Sequence, residues 1–478
     1  MKYNVYTGVF NLTRYFNGFI YMWYNLILKK WTGDNMIHLF KQNGFNICLD
    51  VNSGAIHIPD DTAFDILKKC SSLEDYEKLK TDDRYNISNA QYVEAYEEID
   101  GLIKQEALFS TLDIPDIPIG SGIQFKALCL HMAHTCNLKC EYCFAGDGEY
   151  SGGTKLMPFS VAKKAVNLLL SKSGAKKNVE IDFFGGEPML NFDVIKQTVE
   201  YAFAEQRKYN KHVHFTITTN GTILDEEHLE FINEKMDNVV ISIDGRKKVH
   251  DRFRLYSDGS GSYDSAIENA KKIVAGRNGK SYFVRGTFTR GNIDFSNDVK
   301  HLASFGFRDI SLEPVTGGEF DLNDCELEAV LEEYERFSKE YAKQDDYTFY
   351  HFNISLYKSP CIYKRITACG AGFEYGAVTP DGDIYACHRL AGEEKFRIGT
   401  LDDTEFDLDL AEKMRNNNVE NVEKCSECWA KYFCSGGCPA TAYFTNGNIA
   451  EPDDRTCLMQ KKRIECAMAI EVERASKG

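Results

Sequence analysis

The sequence predicts an α/β protein, a partial (β/α)6 barrel set between a small α+β module and a cysteine-rich C-terminal region. Three observations predict it. Six apolar, β-branched or aromatic runs alternate with helical patterns from Phe125 onward. Short strand-like runs with Asn-Gly and Asn-Ser-Gly turns precede them from Ile37, and the 478 residues carry 16 cysteines.

The length calls for two or three compact units. A net charge of -16 argues against a nucleic-acid partner, whose phosphates need clustered Lys and Arg. The most membrane-like stretch, "FNGFIYMWYNLIL" at 16–28, is too short to span and carries two Asn. It also lacks the charged start and small-residue cleavage site of a secretory signal. Residues 1–35 are therefore an unassigned extension. Strand-like alternation begins abruptly at Met36, which makes a translation start there the favoured expectation over an amphipathic membrane-surface segment. A cytoplasmic protein with no membrane partner is expected, and in such a chain many cysteines mean metal or redox chemistry rather than disulfides.

Residues 36–110 read as one module. "HLFKQNG", "FNICLDV" and "AIHIPD" are its strands, with "AIHIPD" as an exposed sheet edge. "DDTAFDILKKC" and "SNAQYVEAYEEIDGLIKQEALF" are its helices, the first with acidic residues at its start and lysines at its end. The Pro/Gly-rich stretch 111–124 reads as a linker.

Residues 125–320 hold the strand runs "FKALCLHMAH", "VEIDFFGG", "HVHFTITTNGT", "NVVISIDG", "SYFVRGTFT" and "DISLEPV". Helices between strands imply parallel pairing, and near-continuous apolar strands imply burial on both faces, as in a partial barrel of the TIM type. In such barrels the loops after the strands carry the site. Residues 321–360 read as a bridging helical region.

The loop after the first run, "HTCNLKCEYCFAGDGEY", contains Cys136, Cys140 and Cys143 in a C-x3-C-x2-C spacing, with Tyr142 before the third thiol. Three thiolates can hold three irons of a cubane and leave the fourth open to a small molecule. This motif resembles that of the radical S-adenosylmethionine (SAM) superfamily. The resemblance implies that the backbone of Gly185, Gly186 and Pro188 in "GGEP", together with Glu187, holds the methionine amino group; glycines permit close backbone approach, and a carboxylate pairs with an ammonium. It further implies cofactor contacts from Asn220 in "TTNGT", from Ser242 and Asp244 in "SIDG", from Arg254 in "HDRFR" and from Glu313 at the sixth strand end.

In the last third, "CSECWAKYFCSGGC" places Cys425, Cys428, Cys434 and Cys438 in a spacing that suits zinc or an iron-sulfur cluster. With Cys369, Cys387 and Cys457, the array looks like a SPASM domain, here 361–478. That resemblance implies two auxiliary 4Fe-4S clusters, three clusters in all. One would take Cys425, Cys428, Cys434 and Cys457. The other would take Cys369, Cys387 and Cys438, with Cys361 as a fourth ligand or with an iron left open to a substrate thiolate. Cys48, Cys70, Cys129, Cys325 and Cys466 remain as buried, unreactive thiols.

From Met36 onward, "NGFNICLDVNSGAIHIPDD", "LCLHMAHTCNLKCEYCFAGDGEY" and "DFFGGEPMLNF" look like the maturases of SCIFF peptides, short Cys-rich ribosomal precursors. The resemblance implies a winged-helix-like recognition module that binds the precursor's leader, and intramolecular thioether bonds from Cys sulfur to an acceptor carbon. It implies a 5'-deoxyadenosyl radical that abstracts hydrogen, and an electron donor such as flavodoxin or ferredoxin. Edge pairing at "AIHIPD" is the expected route of leader binding. A formylglycine-forming enzyme of the anaerobic sulfatase-maturase kind is the alternative within this architecture. A zinc-dependent interaction protein is the alternative outside it.

Overall fold

The computed structural model describes residues 21–22, 36–82, 90–111, 120–146, 148–150, 152–316, 318–356 and 362–477. Cys361, most of the expected linker and most of the 1–35 extension lie outside the described residues.

The N-terminal strands Ile37–Gln42, Phe45–Asp50 and Ile56–His57 pair antiparallel. Asn43 (φ 54°) and Gly44 (φ 88°) close the hairpin between the first two, the left-handed pair that a two-residue turn requires. The helix Asp61–Leu67 starts where the Asp60 side chain accepts from the Ala63 amide, and Ser72 caps Leu73–Lys80 in the same way. The helix Ala90–Lys104 completes the module.

Both faces of this sheet are covered. Cys48 joins Ala63, Ile66, Leu67, Tyr96 and Ile99 on the module's own helices. On the opposite face Ile47, Leu49 and Val51 pack with Ile464, Met468, Ala469 and Val472 of the C-terminal helix Asp454–Ala475. The expected open edge also differs: Tyr21–Met22 pairs antiparallel with Ile56–His57, so these two residues of "AIHIPD" already have a strand beside them. At the other end of the row stands Ile37–Gln42.

The six expected barrel strands are Ala127–His134, Asn178–Gly185, His212–Thr219, Asn238–Ser242, Ser281–Phe288 and Asp309–Pro314, each parallel to the next. The row does not end there. Thr348–Phe349 adds in parallel beside the sixth strand, and Tyr375–Val378 beside the first, followed by antiparallel Asp383–Tyr385 and Arg397–Thr400. A bare first strand would leave a row of backbone groups unpaired, and the C-terminal region supplies their partner. The 321–360 region contains the helix Asp324–Tyr341.

Alternate strand residues such as Val179, Ile181, Phe183, Val213, Phe215 and Ile217 form the core against the outer helices. Their neighbours, Glu180, Asp182, Phe184, Thr216 and Thr218, therefore face the bore. Among the described residues no helix is long and apolar enough to cross a membrane.

Candidate active site

The first barrel strand runs directly into the loop of Cys136, Cys140 and Cys143. Cys136 Sγ accepts the Leu138 amide at 3.4 Å, and the Cys143 amide donates to the Cys140 carbonyl at 2.9 Å. Burial, then the Glu187 charge and the other two thiols, pushes the Cys136 thiol up to about 12. Burial raises Cys140 to about 11, with Arg254 opposing. Neutral thiols crowded this way become ligands once a cation is present to hold their thiolates.

The glycines of "GGEP" serve a purpose the sequence reading did not give them. Gly185 (φ 124°) continues the second strand opposite Ala133, and a Cβ there would stand 2.3 Å from the Ala133 carbonyl oxygen. A Cβ on Gly186 would stand 2.1 Å from the Thr135 carbonyl oxygen. The amides of Gly186 and Glu187 donate to Ala133 O and Thr135 O at 2.7 and 2.9 Å. Both glycines thus let the second strand press against the backbone that leads into Cys136.

Glu187 is wholly buried. Its Oε1 accepts from the Met189 amide (3.1 Å) and the Thr219 hydroxyl (2.7 Å), and its Oε2 from the Asn220 amide (2.7 Å). Burial outweighs these donors and raises its carboxyl to about 7. Pro188 opens the short turn Pro188–Asn191 below it. The Asn220 side chain donates to Asn137 Oδ1 at 2.9 Å and to Cys136 Sγ at 3.7 Å, so the loops after strands one, two and three are knitted around one thiol.

Asp244, 1% exposed, accepts from Arg254 Nε at 3.0 Å, the Thr287 amide at 2.9 Å and the Tyr142 hydroxyl at 2.5 Å. The Arg254 guanidinium also lies over the Tyr142 ring at 5.6 Å, and its backbone pairs with Cys140. Ser242 ends the fourth strand opposite Arg285. Glu313 Oε1 stands 2.9 Å from His351 Nε2 and its Oε2 3.5 Å from Arg463 Nη1, so its charge faces the bridging region and the C-terminal helix. Burial opposes that charge, yet His351 and Arg463 outweigh it and hold the carboxyl well below the usual range.

The C-terminal thiols gather in two sets. Cys425 feels Cys434, Cys457 and Cys428, and Cys434 feels Cys457 and Cys428; burial raises both thiols to about 11. Cys387 feels Cys438 and Cys369, and burial raises it to about 12. Thiol-only sets have the chemistry of iron-sulfur ligands, and among the described residues no group of three or more His, Cys, Asp or Glu side chains closes on a single metal ion. Of the cysteines left over, Cys48, Cys70, Cys129 and Cys466 are buried, but Cys325 is exposed at the start of the helix Asp324–Tyr341. Its place in the first turn, outside the helix's buried stripe, is why it differs.

Four residues of the site carry no motif. Asn137 anchors Asn220. His388 rests against Phe184 and Phe144 at ring separations of 5.0 and 5.9 Å, joining the Cys387 set to the bore. Arg389 adjoins it and reaches Cys438. Arg285 is exposed and lies in electrostatic reach of Glu313, His351 and His388. The available signal was adjacency: Asn137 follows Cys136, His388 and Arg389 follow Cys387, and Arg285 breaks the apolar run of the fifth strand.

Residues 130–281 match the radical SAM superfamily. An uncharacterized protein of Methanocaldococcus jannaschii is 31% identical over 272 residues, 56% of this chain and 86% of that protein. A cysteine-type anaerobic sulfatase-maturating enzyme of Clostridium novyi is 25% identical over 351 residues, 66% of this chain and 89% of its own. Among solved structures, anSMEcpe with bound AdoMet has a TM-score of 0.60 at 21% identity, covering 73% of this chain and 99% of that one, a likeness of fold.

Proposed function

Because the chain belongs to the radical SAM superfamily, we propose that it is a peptide maturase that installs intramolecular thioether crosslinks in a Cys-rich ribosomal precursor of the SCIFF kind. The observation that carries this reading is a pair of thiol sets, Cys136 with Cys140 and Cys143 after the first barrel strand, and Cys387 with Cys369 and Cys438, whose neighbour His388 rests on Phe184 of the second strand. The SCIFF-like segments of the sequence and a sulfatase-maturating relative, which by its name acts on a protein, support it.

Cys136, Cys140 and Cys143 would hold the 4Fe-4S cluster that binds SAM. Cys425, Cys428, Cys434 and Cys457 would hold one auxiliary cluster, and Cys369, Cys387 and Cys438 the other, with Cys361 completing it or leaving an iron for a substrate thiolate. When bound, these groups supply one-electron chemistry: reductive cleavage of the sulfonium, hydrogen abstraction from the acceptor residue, and removal of one electron as sulfur bonds to that carbon.

The chain's own residues bind and orient. Glu187, buried among three donors, fixes the loops around Cys136 and offers the negative charge an ammonium needs. Asp244 holds Arg254 and Tyr142 beside Cys140, leaving the guanidinium to face a carboxylate. Ser242 and Asn220 line the same strand ends. Arg285 presents a cation to peptide carbonyls in the bore, and the aromatic faces of Phe184 and Phe144 narrow it against water. The 36–110 module binds the leader, along the Ile56–His57 edge once Tyr21–Met22 gives way. The electron donor is a flavodoxin- or ferredoxin-type protein.

The test is mass spectrometry of a Cys-rich precursor after anaerobic incubation with reduced enzyme and SAM. Loss of two hydrogens per bridge that survives disulfide reduction is the expected result. A hydrazide-reactive aldehyde at Cys would replace it with formylglycine formation, and a colourless zinc protein would overturn both.

A further inference from the structure

We propose that Arg389 is a positioning residue that sets the reduction potential of the auxiliary cluster assigned to Cys369, Cys387 and Cys438. The inference rests on that assignment and on contacts no motif predicts. The Arg389 backbone amide donates to Cys387 Sγ at 3.4 Å. Its side-chain Nη1 donates to Cys438 Sγ at 3.6 Å. One residue therefore gives a hydrogen bond to two of the three thiols and brings a fixed positive charge to both.

The side chain is not free to leave. Nη1 also donates to Thr441 Oγ1 at 2.7 Å, and Nη2 to Thr316 Oγ1 at 3.3 Å, beyond the sixth barrel strand. The guanidinium lies 5.8 Å from the centroid of the Phe144 ring, next in sequence to Cys143. Thr316, Thr441 and Phe144 come from the barrel, the C-terminal region and the first cysteine loop, so the charge is clamped where the three meet. Arg389 is half-buried, and a cation held at fixed distance acts on the nearby sulfurs more strongly than one free to swing into solvent.

Hydrogen bonds to cluster sulfurs and nearby positive charge both favour the reduced, more negative cluster. Arg389 should raise the midpoint of its own cluster and leave the Cys425 set, which it does not contact among the described residues, unaffected. A higher midpoint makes that cluster the better acceptor for an electron released in the bore.

The experiment is a potentiometric titration followed by electron paramagnetic resonance on anaerobically reconstituted full-length protein. Wild type, Arg389→Gln and Arg389→Lys are compared, with iron and sulfide counted and Cys438→Ala used to assign the signal. The expected result is unchanged iron, a midpoint moved to more negative potential for the Cys438-dependent signal in Arg389→Gln, a smaller move in Arg389→Lys, and no move of the other signals. An unchanged midpoint at full iron overturns the inference. So does an equal shift of every cluster, or loss of iron in both Arg389 variants, since each marks a structural role. A Cys438→Ala protein with wild-type iron and spectra would instead remove the cluster assignment itself.

Discussion

Arg254 and Asp244 form a buried ion pair at 3.0 Å, with side chains 12% and 1% exposed. Asp244 also takes the Tyr142 hydroxyl and the Thr287 amide, so one carboxylate binds the cysteine loop, the short strand Arg254–Tyr256 and the fifth strand. Removing it with Asp244→Ala leaves a guanidinium buried without its partner. The expected cost is about 3–5 kcal/mol, the usual penalty for breaking a buried pair from one side. Denaturant unfolding checks this, and Asp244→Asn, which keeps the shape, should cost less. Equal stability of Asp244→Ala and wild type would mean that Arg254 finds another partner.

Gly186 offers a test of the cysteine loop that spares the ligands. A methyl group there would meet the Thr135 carbonyl oxygen at 2.1 Å, and that oxygen is backbone and cannot swing aside. Gly186→Ala should displace the segment leading into Cys136 and cost the protein about four irons, one 4Fe-4S cluster's worth, while the C-terminal sets keep theirs. Iron per chain after anaerobic reconstitution measures it. Wild-type iron would show that the loop tolerates the shift.

Much of this arrangement was legible because it is local. Cysteine spacing, the six strand runs and the Asn43-Gly44 turn each lie within a few consecutive residues, where period and turn chemistry speak directly. Glu313 shows the limit. Its place at a strand end can be read from the sequence, but its partners His351 and Arg463 come from distant segments, and no pattern near residue 313 encodes them. The module's second buried face was hidden for the same reason, since the helix that covers it begins at Asp454. The glycines of "GGEP" were read as room for a ligand, and the structure shows a further use, room for the backbone of Ala133 and Thr135, that only the folded chain reveals.

The Glu313 cluster predicts an acid-side loss of stability. Arg463 Nε donates to the Tyr334 hydroxyl at 3.0 Å, the hydroxyl can then donate to His351 Nδ1 at 2.9 Å, and His351 Nε2 faces Glu313 Oε1. That chain of donors requires a neutral imidazole. Burial first, then Arg463, lowers the His351 pKa to about 4 against the pull of Glu313, while Arg285 adds to the lowering. Between 6.5 and about 4 the unfolded chain binds the extra proton, so the contribution is complete above 6.5 and shrinks as pH falls, at up to about 1.4 kcal/mol per pH unit. His351→Gln should flatten the pH dependence of the unfolding midpoint across that window. An unchanged slope would place the titration elsewhere.

The last prediction concerns the N-terminal module, whose sheet shares a core with the C-terminal helix. Ile47 is fully buried among Ile464, Met468, Ala469 and Val472, and Trp429, Cys428 and Cys434 pack at the border of the same cluster. His38, on the same face of the sheet, stacks on Trp429 with centroids 3.7 Å apart and lies 3.0 Å from Glu465. A cavity at Ile47 therefore opens in the same apolar cluster against which Cys428 and Cys434 pack. Ile47→Ala should cost about 2–5 kcal/mol, and thermal unfolding should lose the visible cluster absorbance in the same transition that melts the module. If the module were an independent unit, the variant would melt early on its own and leave that absorbance in place, because nothing would carry the lost packing from the sheet to the helix.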